Sequence, residues 1–269
     1  MMLSHVDGLI HGPLLTAYFG ATLLRPCGME TQHLEDYLNT IYQERITHVV
    51  TVPAVLGFVD RLTSHDDYFI GDHFRHLISS ASPLDAALWG RLEERFHIRI
   101  CNMYGLTETV IGGIFCGPSD ELYRRNTVGL PVDMEVRIVD AEGNDMVDGG
   151  EGELLVKGDN VFTGYFRNPE TTAKVLRDGW LHTGDIASRD HDGFIRIKGR
   201  IKEVIVSGGY NIHPSELNEA LLEHLAVAEV ATVGLDDPDM DETAVSAVVL
   251  KENTQCEVNQ LFQHLCSIL

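Results

Sequence analysis

Apolar side chains along the first hundred residues recur in two alternating rhythms. Leu34, Leu38 and Ile41 share a helical face within 31–45, and Leu84, Leu88, Leu92 and Phe96 do so within 83–96. Pro53 sits where the first turn of another helix, 53–63, is expected, and 8–20 reads as a further helix. Between these lie short apolar or β-branched runs at 21–24, 48–52, 74–78 and 98–103, which predict strands. Helix and strand taking turns in this way predict an α/β fold with a mostly parallel sheet covered on both faces.

Near residue 127 the rhythm changes. Strands are expected at 135–139 and 153–157, separated by turns rich in Gly and Asp. A short helix follows, with Asn168 as its cap, Pro169 at its first position and Gly179 beyond its end. A hairpin then runs from 185–188 to 194–198 through Asp190-His191-Asp192-Gly193. These elements predict an antiparallel β subdomain over about 127–199. From Lys202 an α+β pattern begins: 204–207 extended, 214–225 helical, 230–233 and 245–250 extended, and a last helix from Cys256. The polar link Gly199-Arg200-Ile201-Lys202 therefore divides the chain into a large domain, 1–199, and a small one, 200–269.

Composition narrows the partners. With 41 acidic and 20 basic residues, the formal charge of −21 argues against nucleic acid or an anionic membrane surface. Any bound anion needs local N–H groups or a few placed cations. The five cysteines, Cys27, Cys101, Cys116, Cys256 and Cys266, form no C-x-x-C pair, and their odd number fits a reducing cytoplasm. The longest charge-free stretch, 8–24, is interrupted by His11, Gly12, Pro13 and Gly20; it is expected to be a core helix followed by a strand, with no membrane span. The terminal Cys266-Ser267-Ile268-Leu269 resembles a prenylation box, but Leu261, Leu265 and Leu269 continue one helical stripe and no polybasic run precedes it. Asp237-Pro238-Asp239-Met240-Asp241 begins like a calcium loop, yet Glu242 stands at the turn-glycine position and Val248 at the bidentate-ligand position. Asp66, Asp67, Asp72, His73 and His76 crowd one segment without the fixed spacing of a metal site. Walker, Rossmann and nucleophile-elbow signatures are absent from the sequence.

Three segments carry chemistry. Asn102-Met103-Tyr104-Gly105-Leu106-Thr107-Glu108-Thr109 follows a parallel-type strand, where ligands of such sheets collect. It offers an aromatic face, a hydroxyl and a hard carboxylate ligand suited to Mg²⁺, although an ordinary strand-to-loop turn would read the same way. Gly179-Trp180-Leu181-His182-Thr183-Gly184-Asp185 places beside a glycine an Asp able to accept two hydrogen bonds from a diol; a capped turn is its plainer reading. Gly199-Arg200-Ile201-Lys202-Glu203, with Ser207-Gly208-Gly209-Tyr210 after it, combines cations at the domain link with a Gly pair opening a helix.

In this order and spacing the three segments resemble the acyl-adenylate-forming superfamily: acyl-CoA synthetases, aryl-CoA ligases, peptide-synthetase adenylation domains and luciferases. The stretches Ser79-Ser80-Ala81-Ser82-Pro83-Leu84, Thr127-Val128-Gly129-Leu130-Pro131, Gly152-Glu153-Leu154, Thr163-Gly164-Tyr165-Phe166 and Asn168-Pro169 match too, so the resemblance covers essentially the whole chain.

The resemblance implies an AMP-forming ligase. ATP and a carboxylic acid give acyl-AMP and pyrophosphate, and a thiol, of CoA or of a carrier-protein phosphopantetheine, then takes the acyl group. It implies that Tyr104 stacks on adenine with the backbone of Ala81 and Ser82 on the other side. Thr107 would contact the AMP phosphate, and Glu108 would hold Mg²⁺. Asp185 would bind the ribose hydroxyls and Arg200 the ribose–phosphate region. Lys202 falls at the hinge about which the small domain rotates, and Gly209 lines the pantetheine tunnel, where a side chain would block the thiol. His5 is either a gate of the acyl pocket or a satisfied core histidine, and Gly112 and Gly113 would permit a deep acid pocket.

Two family elements have no counterpart in these 269 residues: the Ser/Thr/Gly-rich phosphate loop before the His5 segment and the Gly-Lys element late in the small domain. The chain is accordingly expected to be truncated at both ends and not to adenylate alone, since one lost transition-state donor can cost on the order of 10²–10³ in rate. The other readings are a non-catalytic nucleotide- or acyl-binding subunit that complements another chain, and an adenylation unit that loads a carrier protein.

Overall fold

The structure, a computed structural model, describes residues 3–26, 31–110, 112–237 and 240–269. Cys27, Ile111, Pro238 and Asp239 lie outside the described residues. The chain divides into two compact units, one comprising Met1–Arg137, Leu155–Thr183 and Arg189–Arg196, the other Ile138–Leu154, Gly184–Ser188 and Ile197–Leu269.

The first unit opens with α1 (Val6–Leu9), a π turn over Ile10–Leu14 and α2 (Leu15–Tyr18). Pro13 lacks the N–H that an α-helix needs inside its ladder, and the run kinks at Gly12, whose ψ is −108°. The expected helix is therefore present but broken. The strand expected at 21–24 is not: the segment makes no ladder. Nor is this stretch core, for Tyr18 and Phe19 are 82% and 73% exposed, and Leu14, Leu23 and Leu24 are exposed as well.

Next come α3 (Leu34–Gln43), β1 (His48–Thr51), α4 (Pro53–Leu62), β2 (His76–Ser79), α5 (Ala86–Phe96), β3 (Ile100–Tyr104), β4 (Ile114–Cys116) and β5 (Leu130–Pro131). The sheet order is β1-β2-β3-β4-β5. The first three strands are parallel, with His48 beside His76 and Leu77 beside Ile100, whereas β4 and β5 run antiparallel. The core holds Leu34, Leu38, Leu56, Leu77, Trp89, Leu92, Phe96 and Ile100. Helix α5 starts three residues later than expected because Asp85, not Pro83, closes its first turn, its Oδ1 accepting from the Leu88 N–H at 2.8 Å.

A second sheet contains β6 (Glu135–Val139), β7 (Glu151–Lys157), β8 (Leu176–Arg177), β9 (Trp180–Arg189) and β10 (Ile195–Arg200), in the order β10-β9-β7-β6 with β8 on β9. Helix α6 (Pro169–Val175) precedes β8, and Asn168 caps it by accepting from the Thr171 N–H at 3.0 Å. The β9–β10 turn closes on Asp190, whose Oδ1 takes the N–H groups of Asp192 and Phe194.

The second unit carries β11 (Ile205–Ser207), β12 (Tyr210–Ile212), α7 (Pro214–Leu222), β13 (Val227–Asp237), β14 (Asp241–Leu250) and α8 (Val258–Ile268), with strand order β12-β11-β14-β13. The Gly pair expected to open a helix instead closes a hairpin. Ser207 pairs with Tyr210, and Gly208 and Gly209 take φ of +55° and +84°, as a two-residue turn between twisted strands requires. Strands β13 and β14 are longer than expected because Asp236 and Glu242 interrupt the apolar run but pair with each other in the ladder, and Glu229 pairs with Val249 just past a register shift that follows Val227. Among the described residues no helix is long and apolar enough to cross a membrane.

Candidate active site

Strand β3 delivers Tyr104 to the carboxyl edge of the parallel sheet, and Gly105 and Leu106 lead into a single 3₁₀ turn, Thr107–Thr109. The Thr109 hydroxyl closes that turn by accepting from the Leu106 N–H at 2.9 Å. Tyr104 and Glu108 are half-buried, and Thr107 is exposed. A second segment, 158–165, fixes this loop. The Tyr165 hydroxyl donates to Glu108 Oε1 at 2.6 Å, and the Phe162 N–H donates to the Glu108 carbonyl at 2.7 Å. Asn160 Nδ2 donates to the carbonyls of Gly112 at 2.6 Å and Thr109 at 3.2 Å. The hydrogen bond to Glu108, followed by burial, pushes the Tyr165 phenol up to about 12.

Between those contacts stands a strained residue. Val110 has φ +68° and ψ −56°, a backbone state that β-branched residues avoid. Such strain costs on the order of 1–3 kcal/mol. Three flanking hydrogen bonds, worth about 0.5–1.5 kcal/mol each, are of the size needed to hold it.

Ala81 and Ser82 follow β2, exposed, and Ala81 takes φ +71°. Ahead of them the Ser80 hydroxyl donates to Asp7 Oδ2 at 2.7 Å, and His11 Nδ1 lies 2.7 Å from Asp7 Oδ1. Burial opposes the Asp7 charge, but the His11 and Ser80 contacts outweigh it and hold this carboxyl below the usual aspartate range. His5 is exposed and caps α1, its Nδ1 accepting from the Asp7 N–H at 3.3 Å. Its reading as a core histidine is thereby corrected. The glycines 112 and 113 are buried, but they do not open depth at their own positions. An added Cβ would lie 3.0 Å from the Phe115 ring at Gly112, and 2.4 Å from the Met134 thioether at Gly113.

In the second unit Asp185 is buried on β9, and its Oδ1 lies 2.8 Å from Arg200 Nε at the end of β10. The carboxylate is 4% exposed and the arginine side chain 54%, so the guanidinium shields a carboxylate that a diol would have to reach. Lys202 is exposed in the 3₁₀ turn Ile201–Glu203. A Cβ on Gly209 would meet nothing within 4 Å, so what demands glycine within this unit is the positive φ of the hairpin turn rather than clearance.

The acidic and histidine-rich segment does not converge. Asp66 accepts from Arg95 Nε at 2.7 Å, Asp72 lies 3.8 Å from Arg45, and His76 meets His48 edge to face. Among the described residues no three His, Cys, Asp or Glu side chains group as a metal site. A hollow of about 560 Å³ beside Tyr42, Arg45, Ile70 and His73 includes none of the nucleotide-site candidates.

The AMP-binding enzyme family matches residues 1–166. The chain belongs to this family. A sulfoacetate–CoA ligase of Cupriavidus necator is 32% identical over 268 residues, covering 97% of this chain and 50% of the relative. The ATP-bound MatB of Rhodopseudomonas palustris superposes with a TM-score of 0.92 at 26% identity, over 100% of this chain and 52% of that one. The o-succinylbenzoate CoA synthetase MenE of Bacillus subtilis, bound to its acyl-adenylate intermediate, gives 0.86 at 25% identity, over 100% of this chain and 53% of that one. The chain thus spans about half the length of the relatives it matches, and its α/β class, parallel sheet followed by antiparallel ones, is shared with these adenylate-forming enzymes. Tyr165 stands in the family-like stretch Thr163-Gly164-Tyr165-Phe166, which by itself implies no role for it, and Asn160 carries no sequence signal except its place five residues earlier.

Proposed function

We propose that these residues form the adenine-, ribose- and metal-contacting part of an AMP-forming acid–thiol ligase. The observation that carries this reading is the loop after β3: a half-buried Tyr104, an exposed Thr107 hydroxyl and a Glu108 carboxylate with one oxygen held by Tyr165. In this reading Tyr104 stacks on adenine against the Ala81–Ser82 backbone, Thr107 meets the phosphate, Asp185 takes the ribose hydroxyls, and Arg200 takes the ribose–phosphate region. Lys202 serves as the hinge between domains 1–199 and 200–269. His5, Gly112 and Gly113 belong to the acid side and Gly209 to the thiol side.

The site chemistry fits Mg²⁺. One carboxylate oxygen and a nearby hydroxyl suit a cation held mainly by water and nucleotide phosphates, as Mg²⁺ usually is. Glu108 would hold it, and the metal would neutralise charge on the phosphates. CoA is the favoured acceptor, because a sulfoacetate–CoA ligase and an indoleacetate–CoA ligase match along nearly the whole chain. Which acid is activated differs among them, and cytoplasmic residence is part of the proposal. The 269 residues alone are expected to bind nucleotide without turning it over, and pyrophosphate exchange by this polypeptide would contradict that. The reading as a whole is tested by ATP–pyrophosphate exchange across a panel of carboxylic acids, on a polypeptide in which this sequence is joined to the family's phosphate-loop and Gly-Lys segments. Exchange with at least one acid is expected. None with any acid would overturn the reading.

A further inference from the structure

The 158–165 segment makes an unusual set of contacts with the loop after β3, all within one unit. Its Asn160 amide spans two carbonyls, Thr109 and Gly112, that flank the strained Val110. Donating to two carbonyls fixes which end of the amide is nitrogen. The Phe162 N–H and the Tyr165 hydroxyl engage the backbone and the side chain of the same residue, Glu108. The path of 158–165 is itself constrained: an added Cβ on Gly158 would lie 2.8 Å from Asn160 Oδ1, and one on Gly164 2.7 Å from Thr172, whose hydroxyl accepts from the Tyr165 N–H at 2.9 Å. Phe162 and Tyr165 also pack edge to face, with ring centroids 4.9 Å apart.

We propose that Asn160 and Tyr165 are positioning residues. They act as a clamp that commits Glu108 Oε1 to the protein, turns the other carboxylate oxygen to the metal and holds the Val110 backbone in its strained state. The proposal rests on the reading of Glu108 as the metal-facing carboxylate. Its logic is preorganisation. A carboxylate already fixed by a neutral donor keeps its charge for the cation and loses little freedom when the cation arrives.

The test uses the 269-residue chain, ATP, and Mn²⁺ in place of Mg²⁺. ATP affinity is measured by calorimetry in EDTA and in saturating Mn²⁺ for the wild type, Tyr165→Phe and Asn160→Asp. Amide exchange of Val110 and Gly112 is followed without ligand. Tyr165→Phe removes only the hydroxyl; it should leave the EDTA affinity within about twofold and lower the Mn²⁺ affinity about tenfold, the scale of a lost charge-assisted bond. Asn160→Asp sets an anion against two carbonyls and should speed exchange at Val110 and Gly112 by at least about tenfold. Equal loss in EDTA and Mn²⁺, or no loss in either, would make Tyr165 merely structural and overturn the proposal. Unchanged exchange in Asn160→Asp would overturn the clamp. A wild type that binds no ATP under either condition would instead sink the nucleotide reading, and the proposal with it.

Discussion

Glu93 shows how much one side chain can organise. Its Oε1 accepts from Trp89 Nε1 at 3.0 Å, from the Ile100 N–H at 2.8 Å and from the Tyr123 hydroxyl at 2.6 Å. Its Oε2 pairs with Arg125 at 2.7 Å. Helix α5, strand β3 and the 123–125 segment are thereby tied to one carboxylate in the wall of the core. Burial works against its charge, but the bonds from Tyr123, Ile100, Trp89 and Arg125 outweigh it and hold it below the usual glutamate range. Glu93→Ala orphans several donors at once and should cost about 3–5 kcal/mol in urea unfolding. Because the folded pKa is depressed, this stability is complete above the unfolded value of about 4.3 and is lost as pH falls through the folded one. The wild type should therefore lose more stability on acidification over that window than Glu93→Gln, and parallel profiles would refute this role. No pattern in the sequence singles out Glu93, because a lone glutamate beside an apolar stripe reads as a solvated face. Tyr104, Glu108 and Asp185 were legible because their glycine neighbours and family spacing set them apart.

At the scale of elements, two glycines separate steric need from conformational need. Gly129 precedes β5 with φ +95°, and an added Cβ would lie 1.8 Å from the Phe115 carbonyl oxygen on β4, far inside the closest non-bonded approach of carbon and oxygen. Within its own unit Gly209 needs only its positive φ. Gly129→Ala should therefore cost more than about 4 kcal/mol or yield no folded chain, whereas Gly209→Ala should cost about 1–2 kcal/mol. Urea midpoints of the two variants check this, and equal losses would contradict it. The same contrast explains what sequence reading reached. Helices α3 and α5 were legible because each writes an apolar stripe over ten or more residues, and α4 because Pro53 marks its first turn. Strands β4 and β5, three and two residues long, are too short to write any period. The Gly208-Gly209 pair was misread because Pro214 and Glu216 supply a helix start five residues later, and glycine serves a hairpin turn and a helix entry equally well. The 8–24 stretch was misread because apolar composition promises burial, while Tyr18 and Phe19 stand in the open.

The molecule as a whole carries a formal charge of −21, and among the solved structures it resembles one holds ATP and another an acyl-adenylate. Such a field opposes a phosphate ligand at long range, so the proposed recognition relies on local groups: the Tyr104 ring, the Asp185 carboxylate and the Arg200 cation, each in the role proposed above. The central claim, that this chain recognises the nucleoside monophosphate, is tested most directly by calorimetric titration of AMP into the wild type and into Asp185→Ala, with folding verified by circular dichroism. The account predicts saturable binding of one AMP, weakened at least about tenfold in the variant, the scale of even one lost hydrogen bond to a charged group. No AMP binding by the folded wild type, or equal binding by a folded Asp185→Ala, would contradict it.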